Sequence, residues 1–186
     1  MDKDKIKNLA LSAMFFAMGI VIPFVFGQIP QVGSMLLPMH IPVFLCAFVC
    51  GWKYAVPMAV LLPIFRSVIF GRPNMYPEAV SIAFEMAAYA FIADFLYNHF
   101  KRQCMKSIYN CLFISMITGR IVRCIVQLFL LRLNEMPFTI TQVLTGVIIT
   151  GIPGIILQLI LIPTTMFILN RTKLIKFKNT KDKIYS

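Results

Sequence analysis

Charge is what this chain of 186 residues has little of: 13% are Asp, Glu, Lys or Arg, against 59% hydrophobic. An ordinary soluble domain carries about twice that charged share, so a soluble globular protein is excluded. No polar stretch is long enough to build a second domain, which leaves one compact unit. The five cysteines include no C-x-x-C pair, and histidine occurs only twice. A zinc site, a dithiol redox motif and a secreted disulfide framework are therefore not expected, and Cys46, Cys50, Cys104, Cys111 and Cys124 read as small hydrophobes. No H-E-x-x-H and no nucleotide-binding loop is present, so no cofactor is expected and any ATP must be hydrolysed by another chain. The two halves share no proline, glycine or charge spacing, which argues against an inverted-repeat transporter.

What is there is a series of apolar runs of spanning length, rich in Phe (17) and Met (12). The chain reads as an all-α membrane protein, a single bundle of six spans at about 6–26, 40–52, 54–70, 78–100, 107–131 and 141–169. The first run has the charged start of a signal peptide but the length of a full span and no clean cleavage site, so it is read as an uncleaved helix. The second is too short to cross about 30 Å at 1.5 Å per residue. It must begin below the surface, which puts His40 inside the membrane profile. Pro57, Pro63, Pro153 and Pro163 predict kinks.

The net charge of +11 is concentrated rather than spread. Lys3, Lys5, Lys7, Lys53, Lys101, Arg102, Lys106 and the lysine-rich tail 170–186 fall at the chain ends or in two loops. An even number of spans puts these on one side, which the positive-inside rule makes cytoplasmic, with both termini there. The opposite face then carries the loop 27–39, Gln28-Ile-Pro-Gln-Val-Gly-Ser-Met-Leu-Leu-Pro38. It holds no charge and fits a lid over a pocket better than a solvated turn.

Five charged residues lie inside predicted spans: Arg66, Glu85, Asp94, Arg120 and Arg123. Each costs at least ~2.5–3.5 kcal/mol at mid-bilayer, so each needs a reason. Counting inward from the helix ends puts Arg66 roughly 7 Å and Glu85 roughly 10 Å deep, with Arg120 and Arg123 in the same half of their helix. His40, flanked by Pro38 and Pro42, opens the short helix at that level. Arg120, Arg123 and Gln127 share one helical face at i, i+3 and i+7, while Glu85 and Tyr89 share another at i, i+4. One reading is a structural ion pair that seals the bundle. The other is a ligand site, because three arginines against one carboxylate leave about two uncompensated positive charges, and arginine grips carboxylates bidentately. Asp94, near the other end, is expected to answer Lys101 or Arg102.

The first helix carries small residues, Ala10, Ala13 and Ala17, at the spacing that lets helices approach closely in a bilayer. Packing inside the bundle accounts for them equally well.

Taken together, six spans in under two hundred residues, the lid-like loop, Leu37-Pro-Met-His-Ile-Pro-Val43, Leu62-Pro-Ile-Phe-Arg66, Ala83-Phe-Glu85 and Gly119-Arg-Ile-Val122 resemble the substrate-binding S component of an energy-coupling factor (ECF) transporter, the bacterial vitamin-uptake class. The resemblance implies a multi-pass protein of the bacterial cytoplasmic membrane in an ABC-type importer. Its partners would be one membrane T component and two cytosolic ATPase subunits. It also implies that Ala13 and Ala17 contact the T component, and that a small vitamin is captured from outside and delivered inward. His40, Met39, Arg66, Glu85, Tyr89, Arg120, Arg123 and Gln127 are the candidate substrate-binding residues. Pantothenate-type S components are among the nearer relatives, and their anionic substrate agrees with the arginine excess. The alternatives are an S component for another vitamin or nucleobase-like precursor, or a membrane enzyme using His40 and Glu85 as base and acid, for which no nucleophile or metal constellation is visible.

Overall fold

The computed structural model describes residues 3–26, 38–100, 105–133 and 151–171, and contains no strand among them. The helices are α1 (Lys3–Phe26), α2 (His40–Cys50), α3 (Trp52–Phe70), α4 (Val80–His99, entered through an irregular turn Met75–Ala79), α5 (Met105–Leu133) and α6 (Ile152–Arg171). All but α2 are long and apolar enough to cross a membrane. Helices are the natural outcome for such segments, because hydrocarbon offers no partner to an open backbone group. Residues 27–37 of the loop expected to form a lid, Lys101, Arg102, residues 134–150 and the basic tail beyond Arg171 lie outside the described residues.

The short helix is the centre of the bundle. Ten of the eleven residues of α2 are buried, and α1, α3, α4 and α6 all pack against it. At 1.5 Å per residue α2 spans about 16 Å, roughly half of a bilayer core. Its neighbours continue past His40, so α2 fills one half of the bundle and not the other. Gly51, at φ 85°, breaks the chain between α2 and α3. The second helix therefore stops two residues short of the expected end at Trp52, which instead begins α3.

Helix α3 runs through Pro57 and Pro63 as one element, and stops at Gly71, whose N–H donates to the Ser67 carbonyl. The turn that follows contains cis peptide bonds before Pro73 and Pro77. Tyr76 is extended (φ −127°, ψ 133°), and its hydroxyl donates to the Leu130 carbonyl of α5 at 2.7 Å. The Ser81 hydroxyl lies 2.9 Å from the carbonyls of Pro77 and Glu78. These bonds fasten the start of α4 to the far end of α5, which fixes how α4 presents Glu85.

The core is Phe44, Leu62, Met86, Tyr89, Ile108, Leu112, Ile162 and Met166, all fully buried. The perimeter is apolar as well. On α5 the exposed Phe113, Ile117, Ile121, Ile125 and Phe129 recur every fourth residue as one stripe. Leu61, Phe65 and Val68, at i, i+4 and i+7, form a similar stripe on α3. Apolar side chains facing outward on several helices suit lipid, and would be an aggregation surface in water. The protein is a multi-pass membrane protein. On α1 the buried edge is Ser12, Phe15 and Gly19, while Ala10, Ala13 and Ala17 face outward. Close packing within the described bundle thus falls to Ser12 and Gly19 of α1 rather than to these alanines.

Candidate functional site

Glu85 is fully buried five residues into α4, and four side chains converge on it. From its own helix, the Tyr89 hydroxyl donates to Oε1 at 2.5 Å, the contact that i, i+4 spacing makes available. From α5, Arg123 Nη1 donates to Oε2 at 3.1 Å and Arg120 Nε lies 3.4 Å from Oε1. From the start of α2, His40 Nε2 lies 3.8 Å from Oε2. A carboxylate offers about four lone-pair sites, and here each oxygen faces two neighbours.

The floor under this cluster is aromatic. Tyr89 stacks on Phe44 with ring centroids 5.1 Å apart, and His40 tilts against Tyr89 at 5.4 Å. Below Phe44, Phe48 continues the stack. The charged level therefore rests on the filled half of the bundle, where the top of α2 ends.

Two glycines set how closely the helices approach, and neither figured among the expected site residues. A Cβ at Gly119 would overlap the Tyr89 ring at Cδ1 and Cε1, so only glycine lets α5 come near enough to α4 for Arg120 and Arg123 to reach Glu85. Gly151, just before α6, lies against the Arg120 guanidinium, and a Cβ there would collide with Nη2. Arg120 thus spans from Glu85 to the head of α6. The cue in the sequence is a glycine one position before the first arginine, and another before Pro153 at the opening of the last helix.

Arg66 stands apart from the carboxylate. Its Nη1 points to the Met39 sulfur at 4.0 Å, a weak acceptor. Among the described residues, Arg66 Nε, Arg123 Nε and Gln127 Oε1 are buried without a hydrogen-bond partner. The eight side chains expected at the site thus fall at one end of the bundle in two groups. His40, Glu85, Tyr89, Arg120 and Arg123 form a contiguous network, while Arg66 with Met39, and Gln127, lie off it with unmet polar atoms. No group of His, Cys, Asp and Glu able to hold a metal occurs among the described residues.

Asp94, also on α4, lies toward the other end. It accepts a hydrogen bond from Asn98 Nδ2 at 2.7 Å, and a Cβ at Gly51 would be 3.9 Å from both its oxygens. Its expected partners, Lys101 and Arg102, lie outside the described residues.

Chemically, the arrangement is a preformed cationic surface. Two guanidinium groups, from Arg120 and Arg123, face the one carboxylate, so the buried charge brought to Glu85 exceeds its own. Two comparisons with known proteins are empty: no curated protein and no solved structure matches. The third, with family models, matches one described as ECF transporter, substrate-specific component, over residues 7–166.

Proposed function

Since the chain belongs to the substrate-specific components of ECF transporters, we propose that the Glu85–arginine cluster is where it holds its cargo, and that the cargo is a small water-soluble anion. Membership in the family implies a small-molecule substrate and, in general, a T component and ATPases as partners. It also makes the chain a binding component of a transporter rather than an enzyme, so His40 and Glu85 are read as a binding pair. The observation that carries the proposal is the charge imbalance around Glu85. Arg120 and Arg123 both face one carboxylate, and the Nε atoms of Arg66 and Arg123 are buried with no acceptor among the described residues.

The finer reading is a vitamin or vitamin precursor, with pantothenate as the best single candidate. It is captured at the outer face of the bacterial cytoplasmic membrane and passed inward by a T component, which docks on the Ala13–Ala17 face, together with two cytosolic ATPases. A carboxylate supplies what the arginines lack, in the bidentate geometry arginine favours. A purely structural ion pair would need one arginine per carboxylate and would leave no buried guanidinium N–H unmet.

Native mass spectrometry of the purified protein, followed by release of any bound small molecule, tests this directly. The expected result is a co-purified anion that disappears in Arg120→Ala while the variant keeps its helical content and monodispersity. A protein that carries no small molecule and shows no thermal shift with a panel of vitamins would sink the proposal.

A further inference from the structure

Resting on that reading, we infer that the ligand is an acid carrying a second hydrogen-bond donor, an amide N–H or a hydroxyl, apart from its carboxylate. Arg66 and Arg123 hold the acid, Gln127 accepts from the donor, and Glu85 is a positioning residue that the ligand does not touch.

The unmet atoms carry the argument. Arg123 spends Nη1 on Glu85, while its Nε is buried and lacks a partner among the described residues. Nε and Nη2 form the side edge of a guanidinium, whose two parallel N–H bonds match the two oxygens of a carboxylate. Arg66 repeats the pattern, with Nη1 toward the Met39 thioether and Nε buried and unmet. Both arginines are thus held through Nη1, with the adjoining Nε unmet.

Gln127 differs in sign. Its Oε1 is an acceptor without a donor, one turn along α5 from Arg123. A glutamate at this position would satisfy Arg123 and cancel its charge; a neutral amide accepts a hydrogen bond and leaves the cationic edge intact. Two cationic donors and one neutral acceptor thus describe a ligand with an anionic end and a donor end. A cationic ligand would be repelled. An uncharged ligand would leave the arginines unmet, and an acid with no other donor would leave Gln127 unmet.

Glu85 fits the positioning role because its oxygens are already engaged. Tyr89 and Arg120 face Oε1, and Arg123 and His40 face Oε2. Glu85 is fully buried, with Tyr89 and Arg123 hydrogen-bonded to its two oxygens, so its contribution is to aim the arginines.

The test is calorimetry on the full chain in lipid nanodiscs with three classes of probe. Pantothenate and biotin carry an acid and a donor, panthenol and biotin amide carry donors and no charge, and lipoate and octanoate carry an acid alone. The expected result is that an acid with a donor binds, and that its uncharged counterpart binds weaker by on the order of a hundredfold, as loss of a charged hydrogen-bond partner predicts. Gln127→Met should weaken the acid-with-donor probe by about tenfold and leave an acid-only probe unaffected. Because the probes vary the ligand rather than the protein, the result does not depend on the variant folding. Equal binding of the charged and uncharged counterparts, equal effects of Gln127→Met on both acid classes, or binding by none of the acids would overturn the inference. A co-purified ligand that is uncharged or cationic would overturn it too, yet leave the capture role standing, whereas a protein with no small ligand at all would remove the capture role itself.

Discussion

Helix α4 buries two carboxylates, Glu85 and Asp94, within nine positions of each other, and they are treated differently. Asp94 takes a hydrogen bond from Asn98 of its own helix, next to the chain break at Gly51. Glu85 is reached from α2 and α5 as well as by Tyr89, and the charge brought to it exceeds its own. The Asn98–Asp94 bond follows from i, i+4 spacing on one helix. The Glu85 cluster needs three helices in register, and it leaves polar atoms unmet nearby. Burial of an acid alone therefore does not mark a site; the mismatch between an acid and its company does.

The largest effect that would sharpen this contrast is Glu85→Ala. Removing the one acid strands Arg120, Arg123 and His40, and breaking a buried ionic cluster from one side costs about 3–5 kcal/mol. Ligand binding and thermal stability should both fall, measured by calorimetry and by melting in detergent. Gly119→Ala comes next. The added methyl group displaces the Tyr89 ring, with an overpacking penalty of about 1–3 kcal/mol, and weakened ligand affinity follows as Tyr89 leaves Glu85. An alanine variant with unchanged affinity would mean that the α4–α5 approach does not set the site. Asp94→Asn should cost about 1 kcal/mol and leave ligand affinity as it was. Lost binding here would break the comparison outright. Smallest in stability is Ala17→Trp on the exposed face of α1, expected to leave melting and binding unchanged while uptake into cells expressing the whole transporter stops. Normal uptake would remove that face as the docking surface for the T component.

The helices were legible because lipid imposes a simple rule on sequence, a long apolar run for each crossing. That charged side chains would gather was legible for the converse reason, since Glu85, Arg120 and Arg123 have no business in such runs unless they meet. The Glu85–Tyr89 bond follows from spacing alone. Spacing says nothing, however, about which helix a face will meet, so it left open that both α5 arginines turn to Glu85 while Arg66 turns to Met39. Gly119 and Gly151 escaped because a glycine in an apolar run has no chemistry of its own; its meaning lies in the ring or guanidinium that occupies the missing Cβ. The alanines of α1 were ambiguous for the same reason, until the buried edge through Phe15 showed which way they face.

The brevity of α2 also bears on how the protein is made. Eleven residues cover about half of the hydrocarbon thickness, so this segment cannot settle in a bilayer as an independent crossing. Joined to α3 through the single residue Gly51, it must enter with α3 as a hairpin. There His40, at the start of α2, lies in the membrane interior, and Glu85 of α4 comes to lie beside it. Synthesis of the chain through α4 is therefore needed before the central helix can meet that carboxylate.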